Sequence, residues 1–491
     1  MSLKKKALSG VFWTTLQQFG TQGVGFIVSV ILARLLMPSE FGLIAMLGIF
    51  MGLGTALVNG GMTQSLIRTQ NPDEDDFSTV FYFNLAGSLI IYGIIFFTAP
   101  LIAAFYDQEL LTNLVRVYAV TIIINAFGAV QLTRLTKIMD FKTQLKVSLP
   151  STILSGITGI SMAYFGFGVW SLVGAAIVQA TAGTIQLWYW SKWTPLWRFS
   201  KAKFGLHFHY GVQLMLSGLL DILFTNVYTI VIGKFFAPAQ VGFYNRANTL
   251  QMLPVGNVSS IVTKVSFPLF SSIQDEDKRL KSVYKRIMKL VIFLITPILI
   301  IMAVTAEPLF RFLFTEKWLP AVPYFQILCV NGILFPIHSY NLQILKVKGR
   351  SDLFLRLEVI KKVIIAVVLV ISFQFGIYGL LYGSVISSIL CFFINTHYSG
   401  KFLSYSAWEQ TKDLLPIITL SLVMGAIVYL LDEFFLVDLS GDVVRLFVSG
   451  IFGVLIYTIL GYLLRFESLF EIINIVKNND TGNKAIFATR R

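Results

Sequence analysis

The chain carries an internal repeat. The segment 31–42 (ILARLLMPSEFG) is echoed at an offset of 200 residues by segment 231–242 (VIGKFFAPAQVG). The positions that recur most clearly are Arg34, Pro38 and Gly42, which return as Lys234, Pro238 and Gly242. A later echo relates Gln131, Arg134 and Asp140 to Gln343, Lys346 and Asp352. A repeat of this length is too long for a solenoid unit. We therefore predict two related structural halves.

Composition places these halves in a membrane. Hydrophobic residues make up 56% of the chain and charged residues only 13%, whereas soluble domains are about 25% charged. We distinguish about fourteen apolar stretches, each long enough to cross a bilayer. The repeat offset then equals about six spans, an even number that gives both copies the same orientation, as in transporters with parallel repeats.

These observations predict an all-α integral membrane protein with about fourteen transmembrane helices. We expect two parallel-repeat six-helix bundles around a central cavity, followed by two C-terminal helices. The predicted divisions are an N-terminal bundle at 1–200, its repeat at 201–400, and two further helices with a cytoplasmic tail at 401–491.

The net charge of +14 raises the question of a nucleic-acid partner, but the placement of the charges argues against one. Basic residues concentrate in alternate loops, from Lys4, Lys5 and Lys6 to the terminal Arg490 and Arg491. One outer loop is instead acidic, with Asp432, Glu433, Asp438 and Asp442. This alternation is the positive-inside pattern. We predict that both termini are cytoplasmic and that no nucleic acid binds.

The sequence offers little for catalysis or for a cofactor. The predicted outer loops are too short for an ordered catalytic surface. His207 and His209 would diverge by about 200° on a helix, so they lack metal-ligand spacing. Cys329 and Cys391 lie in separate predicted spans and imply no disulfide framework. We expect no enzyme activity, no catalytic residue, no metal and no organic cofactor.

Two short charged segments receive simple interpretations. The acidic run Asp73–Asp76 follows the second span and is interpreted as a solvated turn. The basic segment Lys278–Lys289 resembles an interfacial amphipathic helix that meets anionic lipid headgroups.

Polar residues inside spans are costly in hydrocarbon and therefore mark candidate functional positions. In the first span, Gln18 and Thr21 belong to a polar stripe at helical spacing, and in the seventh Gln213 and Asp221 do the same. A cleft between the halves explains both stripes, and plain interhelical hydrogen bonding explains them as well. Asp221 is the acid we expect to serve any ion or proton coupling.

The eighth span adds Arg246, Asn257 and Lys264. Arg246 and Lys264 are five helical turns apart, so they would share one face at a separation of about 27 Å. One interpretation is a basic ladder along an aqueous cavity, suited to phosphate because arginine offers a bidentate fork. The other is that both side chains snorkel to opposite interfaces. Arg34, at the outer end of the first span, carries the same two interpretations.

Several motifs resemble a known family. They are Gly10–Trp13, Leu32–Leu36 with Pro38 and Phe41–Gly42, Ala237–Ala247, Val265–Pro268, Ser272–Asp275 and Val347–Asp352. They resemble the polysaccharide transporters of the multidrug/oligosaccharidyl-lipid/polysaccharide exporter superfamily, in particular the Wzx type and its colanic-acid-like branch. The resemblance covers nearly the whole chain, and its motifs are specific for the family rather than for the substrate.

The resemblance implies a flippase of the bacterial inner membrane. Such a protein moves undecaprenyl-diphosphate-linked oligosaccharide repeat units to the periplasmic face for exopolysaccharide or lipopolysaccharide synthesis. The implied partners are the lipid-linked oligosaccharide, membrane lipids and, as candidates, the polysaccharide polymerase and export machinery. Only Arg34 and Arg246 match recurrent basic positions of the motif.

Alternatives stay open at this point. An ion-coupled multidrug exporter has the same superfamily fold but would need embedded carboxylates rather than bases. A flippase of a lipid-linked peptidoglycan precursor is compatible with the sequence. From another class, a membrane-embedded glycan polymerase or ligase would need catalytic residues in outer loops.

Overall fold

The computed structural model describes residues 3–437 and 441–480. Within these ranges every regular element is helical and there is no strand, which confirms the all-α prediction. Asp438, Arg490 and Arg491 lie outside the described residues, and the side chains of Lys4, Lys5 and Lys6 do too.

The helices are built for a bilayer. Nine helical stretches in the described ranges are long and apolar enough to cross a membrane, and the count becomes ten when a bent pair at Lys201–Phe235 is included. Helices at 141–164, 170–191, 238–272 and 351–373 are also at least 22 residues long and are not among these nine. The chain is a multi-pass membrane protein, and the number fourteen stays a prediction.

The chain divides into two compact units, Met1–Asn245 and Arg246–Arg491. The three-part division expected from the sequence stays a prediction. The helices of the first unit are α1 (Leu3–Leu35), α2 (Pro38–Asn59), α3 (Met62–Arg68), α4 (Glu74–Tyr106), α5 (Leu110–Tyr118), α6 (Val120–Lys137), α7 (Phe141–Tyr164), α8 (Trp170–Ser191), α9 (Lys201–Thr225), α10 (Val227–Phe235) and the start of α11 (Pro238–Ser272).

Two sets of helix contacts run through the first unit, and α6 belongs to both because it packs on α8 and on α4. In one, α1 packs on α7, α7 on α8, and α8 on α6. In the other, α9 packs on α2, α3 and α4. Helix α9 meets α10 at Asn226 with a bend of 48°, so the leading element of the second repeat copy is broken, whereas α1 is a single helix of 33 residues.

Glycines permit two close backbone contacts in this unit. Gly60 and Gly61 have left-handed φ values of +48° and +65° and separate α2 from α3, a conformation that glycine adopts without strain. A Cβ atom on Gly61 would overlap the backbone of Gly211 in α9. Because neither glycine carries a side chain, the break between α2 and α3 can lie directly on α9.

The second contact joins the two copies of the repeat motif. A Cβ atom on Gly42 would overlap the carbonyl group of Pro238, and one on Gly242 would overlap the carbonyl group of Pro38. The first turns of α2 and α11 therefore touch backbone to backbone in a reciprocal pair. This contact gives a physical reason for the Pro-x-x-x-Gly spacing that recurs in the sequence.

The second unit contains the rest of α11 and the elements that follow. They are α12 (Asp277–Val304), α13 (Ala306–Phe314), a 3-10 turn (Glu316–Ala321), α14 (Val322–Val347), α15 (Ser351–Phe373), α16 (Gly376–Leu403), α17 (Ala407–Leu431), a π turn (Asp432–Leu436), α18 (Asp442–Leu463) and α19 (Glu467–Asp480). Helix α16 packs on α14 and α15, and α17 packs on α12 and α18.

Ion pairs join α12 to the C-terminal helices. Lys281 pairs with Glu409 at 3.2 Å, and Lys285 pairs with Asp413 at 2.7 Å. Farther along α12, Arg286 pairs with Glu471 of α19 at 2.8 Å. The basic segment at 278–289 is thus the first part of a spanning helix whose cations bind protein carboxylates, and it is not a separate interfacial helix.

A polar groove in the first unit

Two adjoining cavities form a polar groove in the first unit. The larger, 480 Å³, lies between α2, α5, α6 and α8, and the smaller, 390 Å³, lies between α1, α2, α7 and α8. Ala176 and Gln179 of α8 line both cavities. We call the pair the polar groove.

The polar lining of the groove is neutral. Its hydrogen-bonding side chains in the larger cavity are Thr55, Asn59, Tyr118, Thr121, Asn125, Gln179 and Thr184. In the smaller cavity they are Thr21, Gln22, Ser29, Thr152, Ser155 and Gln179. None of the described lining residues is charged. The groove therefore offers donors and acceptors without a field that selects either sign of charge.

The amides of the groove have unused hydrogen-bonding capacity. Thr121 and Thr184 donate their hydroxyl protons to backbone carbonyl groups, at 2.7 Å and 3.0 Å. The side-chain amides of Asn59, Asn125 and Gln179 make no hydrogen bond within the described part of the chain. A primary amide offers two donors and an acceptor with two lone pairs.

Two of these amides are exposed at positions inside helices. Asn125 and Gln179 are exposed although they lie inside the helices α6 and α8. Polar side chains in membrane-crossing helices almost always face the bundle interior or a water-filled cavity, because contact with lipid is costly. Both amides therefore open into the groove. Small residues at its back, including Gly128, Ala180 and Gly183, leave the room it occupies.

The structure places one of the predicted α1 residues in the groove. Thr21 lines the smaller cavity, and its hydroxyl donates to the carbonyl oxygen of Gln17 at 2.7 Å. Gln18 is half-buried and does not line either cavity. Gln22, one turn from Gln18, lines the cavity instead.

The other predicted residues of the first unit lie outside the groove. Gln213 and Asp221 are exposed on α9, and Arg34 is exposed in the last turn of α1. The structure gathers none of these three around Thr21.

The predicted residues of the second unit have three different environments. Arg246 is 8% exposed, with its guanidinium 5.0 Å from the ring centre of Phe314 and 5.3 Å from that of Trp318. Asn257 donates its amide to the carbonyl oxygen of Leu253 at 2.9 Å. Lys264 is exposed. Arg246 is therefore cushioned by aromatic rings, a contact that stabilises a cation.

The sequence reasoning missed Asn59, Asn125 and Gln179. Each is an isolated amide inside an apolar stretch, and the cost of a polar group in a span is the signal that singled out Gln18 and Thr21. Applied to α2, α6 and α8, the same rule would have found them. What the rule lacks is the knowledge that these helices face one cavity.

The comparisons with known proteins agree with this architecture. Residues 31–323, more than half of the chain, match the family model described as "Polysaccharide biosynthesis protein". The chain belongs to this family. The resemblance stated from the sequence motifs is thereby confirmed.

Relatives of this polysaccharide biosynthesis family are similar over most of the chain. The teichuronic acid biosynthesis protein TuaB of Bacillus subtilis (strain 168) is 26% identical, over 72% of this chain and 73% of the relative. The lipopolysaccharide biosynthesis protein WzxC of Escherichia coli (strain K12) is 24% identical, over 87% of this chain and 89% of the relative.

A solved structure shows the same fold at low identity. The lipid II flippase MurJ in an inward closed conformation superposes with a TM-score of 0.73 and 15% identity, covering 92% of this chain and 98% of MurJ. This chain is thus a multi-pass membrane protein whose fold is similar to that of MurJ. In the described residues no group of three or more histidine, cysteine or acidic side chains could hold a metal ion.

Proposed function

We propose that this protein is a flippase that moves undecaprenyl-diphosphate-linked oligosaccharide repeat units across the bacterial inner membrane. The proposal extends the family membership to a cargo, a direction and a compartment. The product would serve exopolysaccharide or lipopolysaccharide synthesis, and a polysaccharide polymerase and the export machinery would take it up. Both chain termini would be cytoplasmic.

The neutral lining of the polar groove is the observation that carries the proposal. Sugars present hydroxyl groups that both donate and accept hydrogen bonds, and the amides of Asn59, Asn125 and Gln179 offer matching groups. The larger cavity, 480 Å³, falls in the range of about 300–1,000 Å³ that is usual for ligand pockets. A cationic drug would instead favour carboxylates in the lining.

The diphosphate would need basic partners. Residues proposed for the substrate path from the sequence are Arg34, Gln18, Thr21, Gln213, Asp221, Arg246, Asn257 and Lys264. Among them Arg246 is the best suited to phosphate because guanidinium is a planar fork, and the rings of Phe314 and Trp318 would hold that plane in place. Asp221, exposed on α9, is our proposal for any ion or proton coupling.

Alternating access supplies the translocation step in this proposal. The reciprocal contact of Gly42 with Pro238 and of Gly242 with Pro38 would close the periplasmic end in one state. Release of the cargo would require the first turns of α2 and α11 to separate. No covalent bond is made or broken, so the protein needs no catalytic residue.

Transport can be measured in proteoliposomes that contain the purified chain and a fluorescent undecaprenyl-diphosphate oligosaccharide. A membrane-impermeant oxidant of sugar diols reports the fraction of cargo on the outer leaflet. Wild-type protein should equilibrate the cargo between leaflets, whereas empty liposomes should not. Failure of the wild-type protein to do so with any lipid-linked oligosaccharide would remove the proposal.

Variants connect the activity to the groove. Asn125→Leu should slow flipping by roughly threefold to tenfold, since loss of one hydrogen bond to a neutral partner costs about 0.5–1.5 kcal/mol. Asn113→Leu is the matched control, because Asn113 is an exposed asparagine of α5 that does not line the groove. Equal rates in the two variants would exclude Asn125 from the path.

A further inference from the structure

A buried hydrogen-bonded chain lies in the first unit, away from the polar groove. The Oγ atom of Ser65 in α3 is 2.8 Å from Nδ1 of His207 in α9. On the other side of the ring, Nε2 of His207 is 3.0 Å from Oδ1 of Asp76 in α4. The side chains of His207 and Asp76 are both completely buried. Asp76 is therefore no part of a solvated turn, which corrects the interpretation made from the sequence.

Further polar groups complete the surroundings of Asp76. Its Oδ2 atom accepts hydrogen bonds from Nζ of Lys203 at 3.0 Å and from the backbone N–H of Asp73 at 2.9 Å. Lys203 also donates to Oδ2 of Asp73 at 2.9 Å. With a neutral His207, Lys203 contributes one positive charge and the two aspartates contribute two negative charges. The cluster then carries a net charge of −1.

Four other charged groups on or beside the packed helices, Glu74, Arg134, Lys137 and Arg68, have partners of their own. Glu74 of α4 pairs with Arg134 of α6 at 3.6 Å. Lys137 of α6 donates to the carbonyl oxygens of Leu66, Ile67 and Thr69 at the end of α3. Arg68 of α3 lies over the ring of Tyr210, and His209 of α9 is exposed. The charges that bear directly on His207 are those of Asp76, Lys203 and Asp73.

The cluster joins α9 to α3 and α4 beside a close backbone contact. It fastens the first turns of α9 to α3 and α4, one turn before the close contact between Gly61 and Gly211. Helix α9 is bent from α10 at Asn226. A change in the cluster would therefore act on the attachment of one end of a segmented span.

We propose that Ser65, His207 and Asp76 form a proton-binding site whose occupancy sets how firmly α9 is held on α3 and α4. The ligand is a proton, and the site is independent of the identity of any transported cargo.

The two states of the site differ by one proton. In the empty state His207 is neutral, its Nε2–H donates to Asp76, and its Nδ1 accepts from the hydroxyl of Ser65. In the occupied state the added proton lies on Nδ1 and is donated to Ser65 Oγ, while the hydroxyl proton turns to a backbone carbonyl of the preceding turn. Proton uptake raises the net charge of the cluster from −1 to zero.

The sign of the effect follows from the contact between His207 and Asp76. Protonation turns the hydrogen bond between a neutral His207 ring and the Asp76 carboxylate into an ion pair, which adds the attraction between opposite charges at a separation of 3.0 Å. The attachment of α9 should therefore be firm at low pH and weaken as the pH rises and the proton leaves.

Two measurements on the full chain in lipid nanodiscs test this. Nitrogen-15 NMR of labelled histidine reports whether the His207 ring gains a proton between about pH 5 and 8, the interval in which histidine ordinarily titrates. Hydrogen exchange reports the opening of residues 203–211, after correction for the intrinsic pH dependence of exchange. We expect a His207 titration and about fivefold greater protection on its acidic side.

Matched variants locate the effect. His207→Gln and Asp76→Asn should abolish the pH-dependent part of the protection, while His209→Gln and Asp75→Asn should keep it. The proposal would be overturned if the pH-dependent protection of residues 203–211 persisted in His207→Gln, or if His209→Gln removed it. If both buried variants fail to fold, a wild-type His207 ring that stays in one protonation state across the interval would overturn it as well.

Discussion

The second span of each repeat copy follows a different course. In the first copy it is interrupted at Gly60 and Gly61, which gives α2 and α3, whereas in the second copy α11 runs without a break for 35 residues. Ser260 occupies the position equivalent to Gly60 at the repeat offset, and serine adopts the left-handed conformation less readily than glycine. The first copy of the repeat motif is thus followed by two helices, and the second by one continuous helix.

Gln131 and Gln343, which correspond in the sequence echo, differ in their hydrogen-bond partners. Gln343 of α14 accepts from Ser266 and donates to Thr263, both at 3.0 Å, and so joins α14 to α11. Gln131 of α6 is completely buried, yet its amide has no hydrogen-bond partner among the described residues. The repeat therefore keeps a residue type at a place without keeping its interaction, and the equivalence of the copies has to be tested contact by contact.

The largest effect is expected from a buried ion pair of the second unit. Asp432 and Arg445 form two hydrogen bonds, at 3.0 Å and 2.7 Å, with both side chains nearly buried. Asp432→Ala leaves a buried arginine with only a longer contact to Asp442, 3.8 Å. We expect a loss of about 3–5 kcal/mol in the free energy of unfolding, measured by equilibrium unfolding in mixed micelles. The exposed Glu433→Ala should change it little.

Substitutions at Gly42 and Gly242 test whether the two copies of the repeat motif contribute equally to their contact. Gly42→Ala and Gly242→Ala should each cost about 1–3 kcal/mol, because the added methyl group overlaps a carbonyl group on the facing helix. Gly48→Ala in the same helix α2 meets no atom within 4 Å and should be neutral or slightly stabilising. Unequal losses in the free energy of unfolding for Gly42→Ala and Gly242→Ala would show that the two halves of the contact are not equivalent.

The two glutamines test where the copies differ. Gln343→Leu should lower the free energy of unfolding by about 1–3 kcal/mol, since it removes the partner of the buried Ser266 and of the half-buried Thr263. Gln131→Leu should be neutral or stabilising, because it removes an amide whose burial is not repaid by a hydrogen bond. Thermal unfolding of the two variants against the wild type gives the comparison, and equal losses would show that Gln131 has a partner after all.

The smallest expected effect concerns surface carboxylates with lowered pKa values, one in each unit. The hydrogen bond from Lys203 lowers the pKa of Asp73 from 3.8 to about 2, and that from Arg350 does the same for Asp352. The stabilisation is present above about pH 4 and lost as the pH falls through about 2. Asp73→Asn and Asp352→Asn should each remove a small part of the acid dependence of the melting temperature, since both sites are exposed.

Much of the architecture could be predicted because its causes are local or compositional. Hydrophobic content and span length gave the membrane and the helices, and the spacing of Arg34, Pro38 and Gly42 gave the repeat. The cost of polar groups in hydrocarbon led to Thr21, which lines the groove. The same cost led to Gln18 and Asp221, which the groove does not include, because the rule identifies a polar face without identifying what it faces.

The residues that sequence reasoning misjudged depend on contacts between distant segments. In the sequence Asp76 is one of four consecutive acidic residues. It is buried and hydrogen-bonded because Lys203 and His207 of α9 pack against it. The cations at 281–289 read as a lipid-facing cluster, and only the folding of α17 and α19 onto α12 supplies their carboxylate partners.

The amino-acid sequence alone determined that the chain crosses a membrane as helices and repeats one motif at an offset of 200 residues, since these follow from hydropathy and spacing along the chain. The tertiary structure decided which amides share a cavity, which glycines touch and which carboxylates are buried. Those outcomes depend on helices that lie far apart in the chain and meet only after folding. The free-energy cost of burying a polar group depends on whether a hydrogen-bond partner lies beside it there.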